Sequence, residues 1–156
     1  LPFTIFRPVA IYGPHSKGNI RRLLQLAASP VPLPLKGFNN RRSLLGIDNL
    51  IDAILFVLNN KTTIGEKFLI ADAAPLKLPE LIAMLRKAQG RKSGLVYVPP
   101  FFIRLALLLS GQRRLWERVS EDLIVDTSKL QSLGWRPTVE TYEGLRSALA
   151  AENGEG

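Results

Sequence analysis

The residues best placed to do chemistry are arginines that come in separated pairs, Arg21-Arg22, Arg41-Arg42 and Arg113-Arg114. A guanidinium is a permanently charged planar fork, so pairs of this kind suit either a solvated basic surface or a clamp on a diphosphate. One continuous basic tract with interleaved aromatics would point to nucleic acid, and the spacing is not of that type. The run Gly13-Pro14-His15-Ser16-Lys17-Gly18-Asn19 has two glycines separated as in a phosphate-cradling loop. Such a loop needs Lys and then Ser or Thr after its second glycine, and Asn19 and Ile20 stand there instead, which argues against a nucleoside triphosphate site. His15 beside Ser16 implies no triad, because adjacency supplies neither geometry nor a carboxylate. Glu121-Asp122 is a solvated pair, since nothing fixes the separation that glycosidic chemistry requires.

These side chains must be held by something, and the stretch Phe38 to Leu50 is the clearest holder. From Arg42 the chain reads as a strand, with Ser43, Leu45 and Ile47 on one side and Arg42, Leu44 and Gly46 on the other. Asp48 is expected to cap the helix that follows, whose apolar residues Leu50, Ile51, Ile54, Leu55 and Leu58 recur at helical spacing. Upstream, Phe3 to Phe6 reads as a strand stopped by Pro8, then a turn at Tyr12-Gly13-Pro14, then a helix through Ile20, Leu23, Leu24 and Ala27. Pro30, Pro32 and Pro34 predict an extended arm over Val31 to Leu35.

Downstream, Glu66 to Ile70 reads as a strand, and a helix over Leu81, Ile82, Leu85 and Ala88 ends at Gly90. Leu95 to Val98 is a candidate short strand. Pro99-Pro100 opens a markedly apolar helix through Leu109, read as a core or interface helix and far too short for a membrane span. Asp126 is expected to cap a short helix bearing Leu130 and Leu133, Trp135 to plug the core with its N–H bonded locally, and Tyr142 to Leu149 to form a last helix.

With 156 residues and 46% hydrophobic content, the chain can bury one good core, so one domain is expected over 1–151 with a disordered tail at 152–156. The absence of cysteine excludes thiolate metal sites and a cysteine nucleophile, and the single histidine argues against zinc chemistry. No metal is therefore expected, and the cysteine count fits a cytoplasmic protein. The net charge of +8 attracts polyanions in general.

Three motifs in order carry a resemblance. Arg7-Pro8-Val9-Ala10-Ile11-Tyr12-Gly13-Pro14, the Arg41-Arg42 strand with its helix, and Asp126 through Pro137 (Asp-Thr-Ser-Lys-Leu-Gln-Ser-Leu-Gly-Trp-Arg-Pro) together resemble the C-terminal portion of an extended short-chain dehydrogenase/reductase. The type is that of the NAD-dependent sugar-nucleotide epimerases and dehydratases, and the likeness runs from about Phe3 to Ala148.

The resemblance implies an α/β fold, the late part of a Rossmann-type sheet plus a small helical substrate-binding subdomain, mixed α+β when this portion stands alone. It implies NAD as cofactor, held mainly by a Gly-rich loop that is absent here, and a Tyr-x-x-x-Lys catalytic pair upstream, so no catalytic residue is expected in this chain. It implies a nucleotide-sugar substrate, UDP-linked in the 4-epimerase-like case, gripped by Arg42 at the diphosphate. Asn19 would lie against the sugar nucleotide, although it reads equally as a helix cap. The segment Pro34, Leu35 and Lys36 would meet the base through its backbone, although a plain connector has the same look. Arg118 would be the second phosphate ligand, with Arg114 its rival. Ser43 replaces the family's common aspartate, which loosens the substrate assignment. Neither nucleic acid nor membrane is an expected partner, and the exposed edge at Phe3 to Phe6 favours a homodimer. The rivals are another extended reductase or dehydratase with a different substrate and a non-enzymatic basic module that binds polyanions.

Overall fold

The computed structural model describes residues 2–152, except for the side chains of Arg118 and Glu152. The chain divides into two compact units, one of residues 1–21, 43–75 and 125–156, the other of residues 22–42 and 76–124.

The first unit is built on parallel strand pairs. Strand β1 (Ile5–Pro8) pairs with β5 (Lys67–Ile70), and β2 (Ala10–Tyr12) pairs with β4 (Leu44–Gly46). Between β4 and β5 the chain forms α2 (Ile47–Leu58). The expected parallel α/β character is present. The local sequence does not announce β2, because its last residue, Tyr12, reads as part of a turn. In β4, Leu44, Leu45 and Gly46 are all buried, so the anticipated alternation gives way to a strand covered on both faces. Ile47 already belongs to α2, whose N-cap is Gly46; Asp48 sits in the first turn and makes no cap bond.

Leu45, Ala53, Phe68, Ile70, Leu130 and Trp135 form this unit's core. Trp135 plugs it as expected, but its Nε1–H donates to Asp52 Oδ2 at 3.2 Å, a partner 83 residues away rather than a local one. Helix α6 (Ser128–Ser132) is capped at Thr127, not at Asp126, although Asp126 Oδ1 still accepts the Ser128 N–H at 2.9 Å. Hydrogen bonding from Ser128, through its side chain first and this N–H second, holds the exposed Asp126 carboxyl below its usual range. Helix α7 (Thr141–Glu152) buries Leu145, Ala148 and Leu149. The expected apolar stripe of α2 turns inward only at Leu50, which packs against the core beside buried Asn49 and Ala53, while Ile51, Ile54, Leu55 and Leu58 are exposed.

The second unit holds the antiparallel pair β3 (Arg41–Arg42) and β6 (Leu76–Lys77), with α3 (Leu78–Ala88), α4 (Pro100–Leu109) and α5 (Arg113–Ser120). Helix α1 (Gly18–Ala28) precedes it in the chain. Leu33, Leu35, Phe38, Leu78 and Ile82 form its core, with Leu23, Ile103, Trp116 and Val119 packed alongside. The proline arm is extended only to Leu33, which bridges to Leu95; Pro34 to Gly37 is a turn. That single bridge replaces the strand expected over Leu95 to Val98. The arm is pinned by buried Arg86, whose guanidinium donates to the carbonyls of Ser29, Val31 and Ser93 at 2.9–3.1 Å. Helix α4 begins at Pro100 as expected but buries no residue, so it is not a core helix of this unit. From residue 153 the anticipated tail lies outside the described residues.

Candidate functional site

Arg42 lies in β3 with backbone partners on two sides, Leu76 across the antiparallel pair and Leu123 across a parallel bridge. Its neighbour Arg41 donates its N–H to Asp122 Oδ1 at 2.6 Å, and the Arg41 carbonyl accepts from Leu123 at 2.9 Å. The preceding Asn40 carbonyl accepts from Leu78 at 3.1 Å. Consequently the backbone that carries Arg42 is fixed from both flanks. The guanidinium is half-buried, and burial lowers its pKa below the usual arginine value. Desolvating a cation costs free energy that an oxyanion with paired oxygens would offset well at this position.

Beside β3 opens a cleft of about 530 Å³, lined among others by Phe38, Asn39, Asn40, Trp116, Ser120 and Asp122. Phe38 and Trp116 meet at a tilt of 53° with ring centroids 6.0 Å apart, giving the cleft an aromatic wall. Asn40 is 8% exposed; its Nδ2 donates to the Glu121 carbonyl at 3.4 Å, while its buried Oδ1 accepts no hydrogen bond from the described residues. A buried acceptor left over in a cleft wall suits a ligand donor. Sequence reasoning passes over Asn40 and Trp116, although the pair Asn39-Asn40 directly before the arginines is a visible signal.

The other anticipated residues are dispersed. Leu35 is buried in the core, its N–H held by the Leu33 carbonyl at 2.9 Å; Lys36 is exposed, with its N–H on the Val96 carbonyl at 3.3 Å. The Pro34 to Lys36 backbone thus spends its N–H groups internally. Arg114 and Arg118 both sit on α5, one helical turn apart, and the Arg114 side chain is exposed. Asn19 belongs to the first unit and is the second residue of α1, exposed rather than capping.

The first unit contains a polar cluster that the sequence does not disclose. The buried Asp72 carboxylate accepts four hydrogen bonds: Tyr12 O–H at 2.7 Å, Thr141 O–H at 3.0 Å, Gly46 N–H at 3.0 Å and Asn49 Nδ2 at 2.7 Å. Asn49 is fully used as well, since its Nδ2 also reaches the Val139 carbonyl and its Oδ1 accepts from Thr138 and Val139. Burial, reinforced by the Asp72 carboxylate, pushes the Tyr12 phenol far above its usual pKa, so it stays protonated. Gly46 and Gly144 admit the ring, because a Cβ at either would stand 2.8–2.9 Å from the Tyr12 hydroxyl. With every donor and acceptor satisfied, this cluster is built to hold elements together.

No family model matches the chain. It is 30% identical over 149 residues to a UDP-glucose 4-epimerase of Vibrio cholerae, a match covering 94% of this chain and 45% of that protein. Over this span the chain is similar to part of a sugar-nucleotide 4-epimerase. A second relative is the N-acetyl-α-D-glucosaminyl-diphospho-ditrans,octacis-undecaprenol 4-epimerase of Escherichia coli O157:H7, 25% identical over 96 residues, 62% of this chain and 29% of that one. The fold is shared with UDP-glucuronic acid 4-epimerase of Bacillus cereus, solved with UDP-glucuronic acid and NAD: TM-score 0.66, 23% identity, 100% of this chain and 46% of that one. The chain thus spans less than half the length of these relatives. NAD is the dinucleotide that the Bacillus cereus structure holds. The described residues do not by themselves fit it. The loop after β2 closes on itself, Ser16 Oγ taking the Gly13 N–H at 2.9 Å and donating back to the Gly13 carbonyl, and the Gly-x-Gly-x-x-Gly turn that receives a dinucleotide pyrophosphate is absent from the sequence. No helix among the described residues is long and apolar enough to cross a membrane.

Proposed function

We propose that this chain is the substrate-binding portion of a UDP-hexose 4-epimerase-like enzyme, with Arg42 against the diphosphate. The observation that carries this reading is the half-buried Arg42 guanidinium on a backbone fixed from both sides, next to an aromatic-walled cleft with a spare acceptor on Asn40. Arg118 on α5 is the proposed second phosphate ligand and Arg114 its alternative, while Pro34, Leu35 and Lys36 are proposed to meet the nucleoside chiefly through their backbone. Asn19 is a proposed substrate contact on the strength of the family likeness alone. Binding energy from the nucleotide end would orient the sugar for chemistry performed by residues outside this chain. Residues 1–151 would act together in that role. A cytoplasmic setting and a homodimer through the edge at Phe3 to Phe6, where Phe3 is 57% exposed, complete the proposal.

Titration of the full-length protein with UDP-glucose is the test. Arg42→Ala should weaken binding by about 1.5–3 kcal/mol, the scale of a hydrogen bond to a charged group, while Arg21→Ala should change it little. Equal losses from both would identify a generic basic face and end the reading. The 156-residue chain alone should show neither turnover nor calorimetrically measurable NAD binding.

A second reading keeps the diphosphate and exchanges the nucleoside for a polyprenyl chain. It is favoured by the match to the Escherichia coli O157:H7 enzyme, whose name specifies such a substrate, and by the exposed apolar face of α4. Competition by uridine, which carries the nucleoside without the diphosphate, separates the two, since only the nucleotide reading predicts that uridine blocks substrate binding.

A further inference from the structure

Helix α4 presents a face that a water-surrounded helix does not ordinarily have. Phe101, Phe102, Leu105, Leu108 and Leu109 are all exposed, Leu109 at 81%, while Pro100, Ile103 and Leu107 turn partly inward. At about 100° per residue those five side chains cover a continuous arc of about 120°. Tyr97, 66% exposed, adds a third aromatic ahead of the helix, and Leu115 adds an apolar side chain beyond it. Arg104 borders the arc, and Arg114 and Lys92 are exposed nearby in the chain. Among the described residues, no carboxylate forms an ion pair with Arg104 or Arg114, whereas the adjacent Arg113 pairs with Glu117 at 3.0 Å.

We propose that this face of α4, with Arg104 at its edge, docks on the surface of an anionic lipid bilayer. Aromatic and leucine side chains enter the boundary between headgroups and acyl chains, and the arginine meets the negative surface while its stem lies along the apolar layer. Charge selects lipid over a second copy of the chain, because a two-fold contact through the same patch would set like charges against each other. It also separates α4 from α2. The exposed Ile51, Ile54, Leu55 and Leu58 of α2 are comparably apolar, but that helix carries Asp48 and Asp52 and no cation, so an anionic surface would repel it. The ten residues of α4 lie in the interface and do not cross it.

Cosedimentation of the full-length protein with vesicles tests this without any sugar nucleotide, so it stands or falls apart from the substrate reading. Binding should be strong on phosphatidylcholine–phosphatidylglycerol vesicles and weak on phosphatidylcholine alone. Leu105→Asp/Leu109→Asp should lower the partition at least about tenfold, as expected for removing two inserted side chains. Arg104→Glu, at an exposed position where the fold is not at stake, should lower it on the anionic vesicles only. Ile51→Asp/Leu58→Asp should leave it unchanged. Absence of binding to anionic vesicles, equal loss from the α2 variant, or no effect of Arg104→Glu would each overturn the proposal. So would a wild-type dimer, seen by sedimentation equilibrium, that Leu105→Asp/Leu109→Asp dissolves while vesicle binding stays intact.

Discussion

The Asp72 cluster and the cleft lined by Asn40 are both polar places in an apolar fold, yet they are finished to different degrees. Asp72 has four donors on its two oxygens, and Asn49 saturates its amide on Asp72 and the backbone of Thr138 and Val139. At the cleft, Asn40 keeps an unused buried acceptor; on the neighbouring strand Arg42 carries its charge partly out of water. A closed network rigidifies; an incomplete one retains capacity for a ligand. The contrast predicts that damage to the first will appear in stability and damage to the second in binding.

The largest effect should come from Asp72→Ala. It strands a phenol, a hydroxyl, a backbone N–H and an amide in a buried space, and should cost about 3–4 kcal/mol of folding free energy, measured by urea denaturation. Asp72→Asn, which keeps the shape but forces a donor among donors, should recover only part of that. If Asp72→Ala melts like the wild type, the cluster is not the brace described here. Next comes Arg42→Ala, with its loss of about 1.5–3 kcal/mol in binding UDP-glucose. To sharpen the comparison, the same variant should move the urea midpoint far less than Asp72→Ala does. A drop in stability as large as that of Asp72→Ala would place Arg42 among the braces.

What can be read from the sequence follows from which forces act locally. Helices α1, α3 and α7 are legible because residues such as Ile20, Leu81, Ile82, Leu85, Leu145 and Leu149 bury at helical spacing. The strand Lys67–Ile70 is legible from its alternation, with Phe68 and Ile70 inward. The same logic fails on α2, where periodicity gives a face but not its direction: the inward positions are Asn49 and Ala53, because Asn49 is needed by Asp72, Thr138 and Val139. Asp48 draws attention as a cap while the adjacent Asn49 makes the long-range bonds. Tyr12 reads as a turn residue, since nothing local announces a partner 60 residues away. At the candidate site, Arg42 at a strand entrance is foreseeable, whereas Asn40 and Trp116 acquire meaning only when α5 and the turn after Leu35 come together.

The smallest effect, and the most specific to the closed side of the comparison, is expected from Tyr12→Phe. Removing the hydroxyl leaves Asp72 three donors and should cost about 1–1.5 kcal/mol at neutral pH, the scale of one buried hydrogen bond. The pH dependence is more telling than the size. The folded-state pKa of Tyr12 is raised by burial and by Asp72, so above the ordinary tyrosine value the unfolded chain loses this proton and the folded chain keeps it. The folded state then binds more protons, and wild-type stability should fall with rising pH by up to about 1.4 kcal/mol per unit above pH ~10. The Tyr12→Phe variant has no proton to lose at this position, so the gap between wild type and variant should shrink and then reverse as the pH climbs from neutrality past that point. Other titrating groups are common to both proteins and cancel in the difference. A gap that stays constant with pH would show that Tyr12 ionises as freely in the folded chain as in the unfolded one, and that the cluster around Asp72 is open to water after all.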